Sequence, residues 1–339
     1  MNKNLHPKLH STINTYESII FVGGGTGGHI QPIVSLIKRY KKEENILWIG
    51  GRNSNEQKTA KENTTNFKSI PTLKLSTTKS PKILLYPLII LVGIFASIRI
   101  LHRVKKENKN LCVFSKGGPG SLSVGIAAWI LRIPLYIHES DSIPGRANQL
   151  LGRFATRIFV GFESTKKYFP HTNISVVGQI LDEVFYEEKS IRKNPWKTDK
   201  PHLIVLCGSQ GARSIFLELL KHIKKITEKY EVCIILGKLN ENMQKDFESQ
   251  EITKDTLHIF PWIGQEVLID WIAHSNLAIT RGSATSLAEL DTFGVKKIIV
   301  PLPSAAKNHQ YHNAKNYEKK GDIVLEQKNI EKLTEKLKV

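Results

Sequence analysis

The 339-residue chain predicts two α/β domains, each a parallel sheet covered on both faces by helices. Three observations carry that expectation. Short apolar runs recur along the whole length, and they are continuous rather than alternating, as strands buried on both faces require. Helical stretches separate them, giving repeated β–α–β units. The theme stops once, in a charged segment closed by prolines, and then restarts; a chain this long also exceeds one ordinary core.

In chain order, residues 18–22 (SIIFV), 45–49 (NILWI), 111–115 (LCVFS), 134–138 (PLYIH), 157–160 (RIFV) and 174–177 (ISVV) read as strands, with helices over stretches such as 31–42 and 121–131. Residues 186–201 (YEEKSIRKNPWKTDKP) read as the linker between a first domain of 1–185 and a second of 202–339. The second domain then runs through strands at 202–207, 231–236, 256–260, 277–280 and 297–300.

Composition narrows the class. Hydrophobic content of 40% and charged content of 24% are globular values and exclude collagen-like or disordered chains. Cys112, Cys207 and Cys233 lie in apolar runs without metal-ligand spacing and read as buried thiols of a cytoplasmic protein. The first 17 residues are polar with no apolar core, so no secretory signal is read there. The net charge of +18 suits phosphates or an anionic membrane surface, though abundant Lys, Ile and Asn make part of it compositional. No zinc-finger, RNP-type or basic-zipper signature accompanies it, which sets nucleic acid aside.

Each domain presents two strand–glycine loop–helix units: GGGTGGH at 23–29 and FSKGGPGS at 114–121, then GSQGAR at 208–213 and ITRGSATS at 279–286. Such loops let the backbone approach a phosphate, and the helix N-terminus adds amide donors and partial positive charge. One loop alone is a phosphate cradle or a tight connection. Four of them, placed where open α/β sheets bind ligands, point to a diphosphate in a cleft where the two sheet edges face one another. A P-loop NTPase is disfavoured because GxxxxGK[ST] is absent, and an NAD enzyme because the second strand ends Ile49-Gly50-Gly51-Arg52-Asn53 without the ribose-binding acid.

His29 follows the last glycine of the first loop, and the positive helix end there favours a neutral imidazole able to accept a proton. Packing under the loop is its alternative. Glu139 and Asp141 end another strand, as a general base with its orienting partner or as a cap for the helix near Gly145. Glu289 lies eight residues beyond Arg281 and suits a ribose diol. Residues 308–313 (NHQYHN) open a helix with amides fit for sugar hydroxyls or for ordinary capping.

GGGTGGHIQP, SKGGPGSLSVGIAAW, IPLYIHESDSIPGRAN, VLCGSQGARS, ITRGSATSLAEL and VPLPSAAKNHQYHNA, in that order from about residue 18 to 327, resemble the bacterial MurG N-acetylglucosaminyltransferases. The resemblance implies a GT-B fold of two Rossmann-like domains and inverting transfer, with no cofactor or metal, from UDP-N-acetylglucosamine to the muramoyl C4 hydroxyl of the undecaprenyl-diphosphate acceptor, lipid I, in peptidoglycan synthesis. By motif match, Thr26, Gly27, Gly28, Gly117, Gly118 and Gly120 would hold the acceptor diphosphate, with His29 as base candidate. Ser209, Gln210 and Gly211 would cradle the UDP phosphates. Ile263 would meet uracil, Glu289 the ribose, and Ala284, Gln310 and Asn313 the sugar. Other cell-wall synthesis proteins would be partners.

Three positions depart from the family pattern. Well-studied members have Asn where this chain has Asp141, which alters a sugar contact or adds a second base candidate. Asp182 stands where members commonly carry Arg, removing positive charge near the donor diphosphate. The chain stops at Val339, soon after a strand at 323–325, where members usually continue through further helices.

Residues 83–98 (ILLYPLIILVGIFASI) are the most apolar window, flanked by Lys79, Lys82, Arg99, Arg103, Lys105 and Lys106. Sixteen residues are short for a span, and Pro87 and Gly93 read as interruptions. A helix lying in an anionic interface at the cytoplasmic face of the inner membrane is expected, a core helix being the alternative. The rival functions are another lipid glycosyltransferase of this fold, a UDP-N-acetylglucosamine 2-epimerase, and an inactive membrane-bound scaffold.

Overall fold

The computed structural model describes residues 6–40, 45–73, 85–170, 173–187 and 193–339. Residues 41–42 of the expected first helix, 188–192 of the linker, and Lys79, Lys82 and residues 83–84 of the apolar window lie outside them. The chain divides into two compact units, one ending at Asp182 and the other beginning at Glu183.

Among the described residues the first unit holds seven parallel strands: β1 (Ser18–Gly23), β2 (Ile46–Gly51), β3 (Phe67–Ile70), β4 (Leu111–Gly117), β5 (Leu135–Glu139), β6 (Arg157–Val160) and β7 (Ile174–Val176), in the order β3-β2-β1-β4-β5-β6-β7. Its helices are α1 (Pro7–Asn14), α2 (Gly27–Arg39), α3 (Asn55–Glu62), α4 (Tyr86–Glu107), α5 (Ser121–Ile130) and α6 (Arg146–Leu151). Alternate residues of one strand feed two cores. Ile19 and Phe21 join Trp48, Phe114 and Ile33, while Ile20 and Val22 join Ile49, Val113 and Val124. Both faces are covered, and that is why these strands are apolar without alternation.

The second unit repeats the plan with β8 (His202–Leu206), β9 (Glu231–Ile235), β10 (Leu257–Phe260), β11 (Leu277–Thr280), β12 (Lys296–Ile299) and β13 (Ile323–Val324), in the order β10-β9-β8-β11-β12-β13, all parallel. Its helices are α7 (Arg213–Lys229), α8 (Gln244–Glu248), α9 (Gln265–Ala273), α10 (Ala284–Thr292), α11 (His309–Glu318) and α12 (Leu333–Leu337). Ile215, Leu219, Ile223 and Ile226 of α7 pack along one stripe onto this sheet.

Two helices differ from expectation. α2 begins at Gly27 rather than residue 31, because the glycine loop closes its own first turn: the amides of His29 and Ile30 donate to the Thr26 carbonyl at 3.1 and 3.2 Å. Pro87 and Gly93 do not interrupt α4, which runs unbroken for 22 residues. Pro87 sits in the first turn, where no amide partner is needed. Gly93 faces α5, and a Cβ there would come within 2.7 Å of Ser123 Oγ, so its bareness serves close packing.

Candidate functional site

In the first sheet the strand order reverses at β1, which has β2 on one side and β4 on the other. In the second it reverses at β8, between β9 and β11. Ligands of open α/β sheets bind beyond the carboxyl ends of the strands at such switch points. All four glycine-rich loops leave β1, β4, β8 and β11, the two strands that flank each switch point.

The two loops of the first unit interlock. Gly118 has φ +88°, and a Cβ on it would collide with the Gly24 carbonyl oxygen and lie 3.1 Å from His29 Nδ1. His29 Nδ1 is 2.9 Å from that same Gly24 oxygen. A carbonyl only accepts, so Nδ1 carries a proton, and Nε2 is the nitrogen that can exchange one. Thr26, extended at φ −137°, is the N-cap residue of α2, and Gly27 and Gly28 begin that helix. Gly120 has φ +86° as the N-cap of α5. Glu56, which sequence reasoning passed over, is buried and accepts from the amides of Gly25 (3.2 Å) and Gly51 (3.1 Å). It therefore engages one loop amide itself. Its only signal in sequence is an acid in the first turn of a helix after β2.

The loop after β5 is built around Glu139. Its side chain is buried and accepts from the amides of Asp141 (2.9 Å) and Gly145 (3.1 Å) and from Asn148 Nδ2 (3.0 Å). Gly145 is the N-cap of α6, so Glu139 holds this loop and helix start together. Burial raises its carboxyl, and neighbouring Asp141 raises it further. Asp141 itself is half-buried, with its carbonyl accepting from Thr165 Oγ1 at 3.1 Å.

In the second unit Gly211 has φ +75°, and a Cβ on it would collide with the Leu236 carbonyl oxygen, so only glycine closes this loop. Exposed Ser209 and Gln210 are pinned through their carbonyls, by the Lys238 amide (3.0 Å) and by Asn240 Nδ2 (2.8 Å). Ala284 opens α10 after N-cap Ser283, and buried Glu289 lies on the same helix. Asn313 on α11 is buried and donates to the Gly282 carbonyl at 3.0 Å, while Gln310 Oε1 accepts from the Leu302 amide at 3.0 Å. Arg281 joins these loops, donating to Ser214 Oγ in the first turn of α7 (2.9 Å) and to the Val300 carbonyl (3.1 Å). It is buried, which pulls its guanidinium below the ordinary arginine range. Arg281 thus ties the β11 loop to the start of α7 and to the end of β12, and Asn313 ties α11 to that same loop. Ile263 follows the edge strand β10, beside the exposed Trp262.

Residues 19–160 match the glycosyltransferase family 28 N-terminal domain, and residues 202–339 match the C-terminal domain of the same family. Over 314 residues the chain is 32% identical to the UDP-N-acetylglucosamine–N-acetylmuramyl-(pentapeptide) pyrophosphoryl-undecaprenol N-acetylglucosamine transferase of Legionella pneumophila (strain Lens), covering 91% of this chain and 84% of that one. The protein of the same description from Clostridium tetani is 32% identical over 322 residues, covering 93% and 87%. Among solved structures, Acinetobacter baumannii MurG superposes with a TM-score of 0.70 at 22% identity, over 95% of this chain and 91% of that one. The UDP-GlcNAc 2-epimerase of Neisseria meningitidis bound to UDP-GlcNAc gives 0.57 at 15% identity, over 94% and 91%. At these identities the two structures speak for the fold.

Proposed function

We propose, from the premise that this chain belongs to glycosyltransferase family 28, that it is the N-acetylglucosaminyltransferase that converts lipid I to lipid II in peptidoglycan synthesis. The observation that carries this is the placement of all four glycine-rich loops beside the switch points of two parallel sheets, which suits two diphosphate-bearing substrates. The muramoyl C4 oxygen attacks C1 of N-acetylglucosamine; the bond from C1 to the UDP oxygen breaks, its electron pair leaves with UDP, and the configuration at C1 inverts. Two groups are suited to take the C4 proton, His29 through Nε2 and the Asp141 carboxylate. Amides at the starts of α2 and α5 would hold the acceptor diphosphate.

On the donor side, Ser209, Gln210 and Gly211 with the start of α7 would receive the leaving diphosphate, and Arg281 adds positive charge there. This reading needs no metal or resident cofactor. Glu289 would accept from the ribose hydroxyls, Ile263 would face uracil, and Ala284, Gln310 and Asn313 would face the sugar.

The lipid acceptor gives α4 a role. Leu88, Leu91, Val92 and Phe95 are exposed along one face of it, and exposed Arg99, Arg103 and Lys106 continue that face. Gly93, Ser97 and Leu101 form its buried side. By length and composition α4 is apolar enough to cross a membrane. Its packed inner face and basic second half favour a helix lying in an anionic interface instead, which makes the protein peripheral at the cytoplasmic face of the membrane.

The test supplies UDP-N-acetylglucosamine and a short-chain lipid-linked muramoyl-pentapeptide to the purified protein. UDP release matched by disaccharide product is expected. Intact UDP binding without turnover would overturn the transferase in favour of a scaffold.

A further inference from the structure

The first glycine loop is filled from within on its inner side. Glu56, in the first turn of α3, is 2% exposed. Its Oε2 accepts from the Gly25 amide at 3.2 Å and its Oε1 from the Gly51 amide at 3.1 Å. Both oxygens of one carboxylate are thus engaged, one by the loop after β1 and one by the end of β2. The neighbouring glycines make the room. A Cβ on Gly24 would collide with all three atoms of that carboxylate, and a Cβ on Gly50 would lie 2.7 Å from Glu56 Cγ. Neither glycine has a positive φ, so the close approach of Glu56, not backbone shape, excludes a side chain at both.

The outer side of the loop differs. A Cβ on Gly28 would meet only Thr26 Oγ1, 4.0 Å away, and the φ of Gly28 is not positive either. Gly28 is the second residue of α2, where alanine would favour the helix more. Neither backbone conformation nor packing within the fold therefore accounts for a glycine there. A phosphate approaching the loop meets two unlike sides. On the inner side the Gly25 amide already has its acceptor, and displacing Glu56 would strand a buried polar group without its donors. The outer turn at the start of α2 is clear of side chains.

We propose that Glu56 is a positioning residue for the acceptor: its carboxylate fills the inner anion position of the first glycine loop and so fixes the acceptor phosphate at the outer turn, over Gly28. The proposal deepens the acceptor-site reading above and rests on it.

The experiment measures KM for the short-chain acceptor and for UDP-N-acetylglucosamine in wild type, Glu56→Ala, Glu56→Gln and Gly28→Ala, with added acetate or with chloride at the same ionic strength. Glu56→Ala leaves two amides without their acceptor and is expected to raise the acceptor KM by about tenfold, with the donor KM held within about twofold. Acetate, which can enter the vacated place, should reverse that rise saturably, whereas chloride should not. Glu56→Gln keeps the place filled and one acceptor in it. Its acceptor KM should fall between the other two and ignore acetate, and it carries the test should the alanine variant fail to fold. Acceptor and donor KM rising together, an unmoved acceptor KM, or acetate acting alike on the alanine and glutamine variants would overturn the proposal and leave Glu56 a brace of the fold. An acceptor KM unmoved in Gly28→Ala would instead sink the acceptor-site reading itself.

Discussion

The Gly24 carbonyl sets which ring nitrogen of His29 carries the proton. With Nδ1 donating to the Gly24 carbonyl, Nε2 is the basic atom, held by a loop that Gly118 locks from the other side. His29→Ala should lower turnover by about 10²–10⁴-fold if this nitrogen takes the C4 proton. A loss below tenfold in a steady-state assay would move that role to Asp141. Glu289, buried on α10 six places into the helix, is the residue proposed to hold the ribose. Glu289→Ala should weaken UDP binding by about 1–3 kcal/mol in titration calorimetry, through ribose hydroxyls left without an acceptor. Unchanged affinity would remove the ribose assignment.

At the scale of elements, α4 and the strap before β8 make separate predictions. Replacing Leu91 and Phe95 by Ser should weaken co-sedimentation with anionic vesicles by about tenfold per side chain, the worth of one buried apolar group. Binding that survives both changes would return α4 to a purely structural role. The strap enters through Glu231, fully buried at the start of β9, which accepts from the amides of Lys197 and Thr198, from Thr198 Oγ1 and from His258. Burial pushes this carboxyl up, but those donors outweigh it and hold it below the usual 4.5. A carboxyl depressed in the folded state contributes stability above its unfolded value and loses it as acid protonates the fold. Melting temperature should therefore fall as pH drops below about 4.5, more steeply in wild type than in Glu231→Gln; parallel curves would contradict the assignment.

These elements also show where sequence reasoning reaches and where it stops. The buried strands and glycine loops were legible because both are local: continuous apolar runs and residues able to take positive φ. β3 was missed because FKSI is half polar on an edge strand with only Ile70 buried. The continuity of α4 was misread because a proline is harmless in a first turn and a glycine can serve packing, and neither context is written in the window itself. Glu56 and Arg281 escaped because their partners are remote in the chain, Gly25 and Ser214 among them. The three donors to Glu139 lie outside the reach of local pattern for the same reason.

At the scale of the molecule, one design is used twice. Each unit orders its strands outward from a central β1 or β8 and places amide-lined turns where that order reverses. The proposed transfer requires these turns to bind diphosphates, acceptor in the first unit and donor in the second. The most direct test is a crystal structure of the protein soaked with UDP. The diphosphate is expected against Ser209, Gln210 and Gly211 with the ribose on Glu289. A nucleotide bound away from the β8 and β11 loops would contradict it.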